Sequence, residues 1–209
     1  MARSEDVKTP LATVAFSHTL FKTMDRDNGK KNYGCSLLFP KGTDLSALQN
    51  AALEAAVAEW GDKAKDMIKS ETIKNPFLDG DGKQGRSKQT GEPHAGFPGH
   101  TFIRCVSGED FKPKVFDKRR NPVFEADDCR SGSKVYAVVN AFTWENKENG
   151  KGISFGISLV QVVKNAEGTE ILGGSGGPNP DDYFETIEDD GDDAAKETKK
   201  GDGAAGLFG

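Results

Sequence analysis

Residues 134–144 (KVYAVVNAFTW) carry the most suggestive side-chain chemistry in this 209-residue sequence. In a strand, side chains alternate between two faces. One face here would be Val135, Ala137, Val139, Ala141 and Thr143, small and mostly apolar; the other Tyr136, Val138, Asn140, Phe142 and Trp144, aromatic with an amide in the middle. Residues 101–106 (TFIRCV) divide in the same way, Thr101, Ile103 and Cys105 against Phe102, Arg104 and Val106. An aromatic face interrupted by Arg and Asn is awkward as a core. It suits a platform on which planar bases stack while a guanidinium meets phosphate. The competing reading packs these rings under a loop and a helix, and residue types alone leave both open.

Cations cluster near these segments. Residues 83–120 hold nine Lys and Arg against four acids, Glu92, Glu109, Asp110 and Asp117. Lys83, Arg86 and Lys88 fall in a loop-like stretch; Lys112, Lys114, Lys118, Arg119 and Arg120 fall in a hairpin-like region, with Arg130 and Lys134 nearby and Phe77, Phe97 and Phe111 interleaved. Lys and Arg on loops can follow a phosphate backbone without demanding one base sequence.

Signals for catalysis are thin. Asp79-Gly80-Asp81-Gly82 starts like a calcium loop, but its twelfth position is Thr90 rather than Glu. Lys83 is followed by Gln84, so no phosphate-loop signature forms. His94, His100, Cys105 and Cys129 lack the paired spacing of a zinc site, and a nuclease built on Asp79, Asp81 and His94 would rest on a lone Asp-x-Asp. No catalytic residue, metal or cofactor is assigned.

The elements that must position the aromatic face follow from periodicity. Residues 9–21 and 33–39 read as strands, the second ended by Pro40. Asp44 can cap a helix whose apolar stripe is Leu45, Leu48, Ala52, Ala56, Trp60, Ala64 and Met67/Ile68, with Gly61 as an interruption. Residues 74–100 show no periodicity and form a Gly/Pro/Lys-rich loop, longer than most connections, and such loops are functional or disordered. Strand signals return at 101–106, 114–117 and 123–124, then in the long pair 134–144 and 152–164 joined by a polar turn. The expectation is a mainly β body of five substantial strands, with one helix between strands two and three. Either a sandwich or an OB-fold-like five-stranded barrel fits this order.

Charge divides the chain further. The formal net charge is −5, which taken whole argues against nucleic acid. Residues 181–209 hold ten acids and three lysines, a net of −7, which leaves 25 basic and 23 acidic residues, +2, over 1–180. A mildly basic body therefore carries an acidic tail, and such runs stay solvated and often serve as interaction tails. The expected organisation is a body over 1–172, a Gly-rich linker over 173–180 (from GGSGG) and a disordered acidic tail over 181–209. The start of the chain has no apolar export segment, and no apolar run approaches a bilayer span. Three widely spaced cysteines, Cys35, Cys105 and Cys129, fit free thiols in a reducing compartment.

A β-rich body, an aromatic and basic face, a glycine linker and an acidic tail closing in Leu207-Phe208 together resemble bacteriophage single-stranded DNA-binding proteins. Residues 152–164 (GISFGISLVQVVK), followed by a turn and Ile171-Leu172-Gly173-Gly174, look like that family's closing strand and exit. The resemblance spans the layout of residues 10–174. It implies an OB-fold and a non-enzymatic coat for single strands in phage replication and recombination, in the cytoplasm of the infected host. It also implies a tail contacting polymerase or helicase, and the modest charge of the body favours self-association along DNA. The tail departs from the pattern: Gly209 follows Phe208, a Gly/Ala run precedes Leu207, and Lys199 and Lys200 dilute the acids.

On that reading Arg104, Lys112, Lys114, Arg119 and Arg120 neutralise phosphates, and Phe102, Tyr136, Phe142 and Trp144 stack bases. In the tail, Asp189, Asp190, Asp192, Asp193, Leu207 and Phe208 engage partners, and the acids compete with DNA for the basic face. The alternative is a phage structural or assembly protein with a β-sandwich body whose aromatic face is a subunit interface.

Overall fold

The computed structural model describes residues 1–25 and 29–167. The linker and tail expected beyond residue 172, with Asp189, Asp190, Asp192, Asp193, Leu207 and Phe208, lie outside the described residues. In chain order the strands are β1 Val7–Lys8, β2 Ala12–Ala15, β3 Met24–Asp25, β4 Lys31–Pro40, β5 Ile73–Lys74, β6 Phe77–Asp79, β7 His100–Gly108, β8 Lys114–Phe116, β9 Pro122–Val123, β10 Lys134–Asn146 and β11 Gly150–Lys164.

Five of them close a ring. β2 pairs with β4, β4 with β7 and β10 with both β11 and β2, all antiparallel, while β7 meets β11 in parallel. The mainly β barrel expected from the sequence is therefore present, as a closed ring rather than a two-sheet sandwich. Its interior takes the small face of β10 as read: Val135, Ala137, Val139, Ala141 and Thr143 are all buried, against Val14, Leu37, Phe39, Ile103 and Phe155. Helix α1, Ser46–Trp60, lies between the second and third barrel strands. Asp44 Oδ1 accepts from the Ser46 N–H at 2.9 Å, and the stripe through Leu48, Ala52 and Ala56 is buried. Gly61 ends it with φ of 62°, after which a 3₁₀ turn leads into the short helix α2, Ala64–Lys69.

Two segments differ from the sequence expectation. The first strand does not run to residue 21: Phe16 takes a left-handed conformation (φ 57°) and turns the chain into a 3₁₀ segment, Ser17–Leu20. Residues 74–100, expected as an aperiodic loop, are folded onto the outer face of β4 and β7. β6 pairs with β7, and Phe97 is 1% exposed in a second cluster with Ala15, Leu38 and Phe102. The glycines there serve close packing. A Cβ at Gly80 would fall 1.9 Å from the Phe97 carbonyl oxygen, and one at Gly85 2.1 Å from that of Gly80.

Candidate nucleic-acid interface

The outward face of β10 meets the outward face of β11 in strict register. Trp144 lies opposite Gly152, Phe142 opposite Ser154 and Asn140 opposite Gly156. After Gly156 a bulge at Ser158 shifts the register by one, so that Val138 faces Leu159 and Tyr136 faces Gln161. The outward side chains of β11 are thus minimal over half its length, and the space above them is a groove whose wall is the aromatic row of β10.

The missing side chains are needed. A Cβ on Gly152 would lie 2.4 Å from Trp144 Cζ2, and one on Gly156 2.8 Å from Asn140 Oδ1. The indole occupies the room Gly152 leaves and donates from Nε1 to Ser154 Oγ at 2.9 Å. Asn140 Nδ2 donates to Asp6 Oδ1 at 3.1 Å, while its Oδ1 is buried without a partner.

Three depressions adjoin along this face. The central one, about 1280 Å³, runs over Phe142, Ser154 and Gly156 and is bounded by Lys31, Phe111, Lys112 and Lys114. It shares Trp144 and Ser154 with a second of about 930 Å³, which holds Lys74 and Arg104. It shares Leu159 with a third of about 330 Å³, apolar except at its rim, where Lys8 and Arg120 flank Tyr136 and Phe116. Three Lys or Arg line the second depression, five the central one and two the third, ten in all against Glu71 and Asp110. A face this one-sided concentrates positive potential where a polyanion would lie.

Of the residues expected to bind, Lys112, Lys114, Phe142 and Trp144 come together in the central depression, Arg104 in the second, and Arg120 and Tyr136 in the third. Arg104 Nη2 donates to the Gln84 carbonyl at 3.1 Å, which ties it to the folded loop. Arg119 is exposed on the β8–β9 turn, outside these three depressions. That turn is organised by Asp117, whose Oδ1 accepts from the N–H groups of Arg119 (2.7 Å) and Asn121 (2.8 Å). Hydrogen bonds from Asn121 foremost hold the Asp117 carboxyl below its usual range.

Phe102 is a correction. Its ring is fully buried, 4.8 Å from that of Phe97 at 72°, because the segment over residues 77–99 covers the outer face of β7 there. It is a packing residue and has no free face for a base.

Sequence reasoning placed Phe111 only among the aromatics interleaved with the cations, and did not point to Lys31, Lys74, Arg3 or Lys8. Phe111 is 74% exposed on the turn after β7, its N–H bonded to the Gly108 carbonyl at 3.0 Å and its own carbonyl accepting from Ser107 Oγ. Lys74, Arg3 and Lys8 reach the groove from chain segments remote from it in sequence. Their ammonium or guanidinium groups stand over Trp144 (5.7 Å), Phe142 (5.7 Å) and Tyr136 (4.3 Å) respectively. The signal available beforehand was the alternation of Gly and Ser with large apolar residues in GISFGIS, which marks one face of β11 as stripped.

Several titratable groups away from the groove serve ion pairing or packing. Lys41 Nζ lies 2.9 Å from Asp79 and 2.7 Å from Asp81 and holds both carboxyls below their usual range. Burial first, and then the charge of Arg104, lowers the pKa of His94, which packs against Phe16 and Phe97. Cys35 and Cys105 face each other across β4 and β7 as buried free thiols; their mutual hydrogen bond and burial raise Cys35 well above the usual range. Burial pushes Cys129 up to about 12. Among the described residues no group of three or more His, Cys, Asp or Glu could hold a metal ion, and no helix is long and apolar enough to cross a membrane.

Comparison with known proteins bears on the fold and the family. Among solved structures, the barrel resembles the single-stranded DNA-binding protein from bacteriophage Enc34 in complex with ssDNA, with TM-score 0.53 and 18% identity over 78% of this chain and 88% of that one. The same phage protein described without DNA gives 0.50 and 20% over 85% and 88%. Gp2.5, a single-stranded DNA binding protein encoded by bacteriophage T7, gives 0.50 and 13% over 92% and 100%. At these identities the likeness is one of fold. No curated protein matches the sequence. The family profile described as "Enterobacter phage Enc34, ssDNA-binding protein" matches residues 6–195, and the chain belongs to that family.

Proposed function

We propose that this protein binds and coats single-stranded DNA with little sequence preference and performs no chemistry on it. The observation that carries the reading is the groove: an aromatic row on β10, a floor of Gly152, Ser154 and Gly156, and a rim of cations. A floor with no side chain larger than that of Ser154 lets bases approach the rings. Stacking contributes roughly 1–3 kcal/mol per base and is available to all four. Tyr136 and Trp144 stand eight residues apart on one strand, about 26 Å at strand rise, enough for several nucleotides in series. Phe142, Trp144, Tyr136 and Phe111 are the stacking groups, and Arg104, Lys112, Lys114 and Arg120 the phosphate contacts. Membership of a family described as ssDNA-binding supports the ligand class.

The barrel is read as an OB-fold. Five strands in a closed ring, with one parallel contact between the third and the last, support that assignment. The setting is phage replication and recombination in the cytoplasm of the infected host, with protomers side by side along the strand. The linker over 173–180 tethers the acidic tail over 181–209 near the basic groove, where it competes with DNA and, when DNA displaces it, recruits replication proteins. Removing residues 181–209 tightens binding to oligothymidylate, most at low salt; unchanged or weaker affinity refutes the competition.

A further inference from the structure

The segment before β2 has an unexpected relation to the groove. Residues 2–9 run antiparallel to β10 and are pinned to it: Thr143 N donates to the Ala2 carbonyl (3.0 Å), Ser4 N to that of Ala141 (2.9 Å) and Thr9 N to that of Ala137 (2.8 Å). Side-chain oxygens add to this, with Ser4 Oγ accepting from Ala141 N at 2.9 Å and Thr9 Oγ1 from Ala137 N at 3.0 Å.

The register changes along this segment. Arg3 bridges Phe142, whereas Val7 pairs with Val139 and Lys8 with Val138. The two pairings differ by one residue, so the arm bulges between Arg3 and Val7. Positions 3 and 8 have opposite parity and would point to opposite faces of a regular strand. The extra residue cancels that difference, so both cations stand on the outward face, Arg3 over the Phe142 ring and Lys8 over that of Tyr136. A bulge that re-aims a side chain is a built feature.

Resting on the single-stranded DNA reading above, we infer that this arm is the outer wall of the groove and that Arg3 and Lys8 are phosphate-binding residues held in readiness on the stacking rings. Without DNA each cation occupies a ring face. When a base takes the ring, the cation is released toward the adjoining phosphate. The ring is thus never left bare to solvent, and each base stacked adds a phosphate contact next to it.

The test is a salt titration of the full-length chain on oligothymidylate. Each phosphate neutralised on a single strand contributes about 0.7 to the slope of log K against log salt, which is about fivefold in affinity at 0.1 M. Arg3→Ala with Lys8→Ala should lower the slope by about 1.4 and weaken binding about 25-fold at 0.1 M, the deficit vanishing toward 1 M. Arg3→Lys with Lys8→Arg should keep the wild-type slope. Lys63→Ala with Lys65→Ala, exposed and outside the groove, controls for net charge. A double-alanine slope equal to the wild type's or the control's overturns the inference, and so does a loss of affinity that persists at 1 M. Absence of binding by the wild-type chain would instead refute the function itself.

Discussion

Replacing Gly152 with Ala probes the groove without removing a charge or a ring. The new Cβ would stand 2.4 Å from Trp144 Cζ2, 2.8 Å from Cε2 and 3.0 Å from Lys74 Cβ. Carbon atoms sit comfortably at about 3.5–4.0 Å, so the indole must retreat by about 1 Å. Lys74 is paired with Gly152 on β5 and closes the other side. The retreat breaks the 2.9 Å bond from Nε1 to Ser154 Oγ, which costs about 1 kcal/mol, and crowding adds about 1–3 kcal/mol. A total of about 2–4 kcal/mol corresponds to a fall in Tm of roughly 4–16 °C for a body of this size. The displaced ring no longer stacks in line, which removes up to about 1–3 kcal/mol of binding, or about 5- to 150-fold in affinity. The salt slope stays constant because no cation changes. Fluorescence titration with oligothymidylate at four salt concentrations, below the variant's Tm, measures both quantities. A variant with lowered Tm but wild-type affinity would show that the seat of Trp144 lies outside the interface, and the groove assignment would fail.

Three further outcomes follow from packing and protonation. Phe102→Ala should cost about 3–5 kcal/mol in urea unfolding through the cavity it leaves, while the folded protein keeps its DNA salt slope; a stable variant with weakened binding would restore Phe102 to the interface. A thiol reagent at pH 8 should leave Cys35 and Cys129 unmodified in the native protein and label them once it is denatured, since the hydrogen bond with Cys105 and burial raise Cys35 and burial raises Cys129. Rapid native labelling contradicts that. Lys41 holds Asp79 and Asp81 below the usual carboxyl range, so their contribution is present above the unfolded-state pKa and lost as pH falls through the lowered folded values. Lys41→Ala should therefore be less stable than wild type at neutral pH and equal to it in strong acid, by denaturant unfolding at both; a deficit independent of pH would mean that the ion pairs are not its source.

How much was legible in the sequence depends on whether neighbours along the chain were neighbours in space. The two faces of β10 followed from alternation alone, because one strand carries both the barrel interior and the aromatic row. Helix α1 followed from its apolar spacing; its N-cap is Leu45 rather than Asp44, which stands one residue earlier and accepts from the Ser46 N–H. Phe102 did not, since its burial depends on Phe97 arriving from a segment whose glycines suggested disorder and instead allow backbone contact at Gly80 and Gly85. Arg3 and Lys8 could not be assigned by parity, because the bulge that aligns them exists only against β10. The stripped face of β11 was visible in GISFGIS, but its meaning required knowing that Trp144 lies across from Gly152.

The β10–β11 groove, as proposed, takes a flexible single strand whose bases can leave the stack and lie on its rings. Titrating the full-length protein with oligothymidylate and with duplex of the same length, while following tryptophan fluorescence across a range of salt, decides whether it does. Quenching and a negative salt slope are expected with the single strand, and much weaker binding without quenching with the duplex, whose bases are already stacked. Equal affinity for both, or no quenching with either, would contradict it.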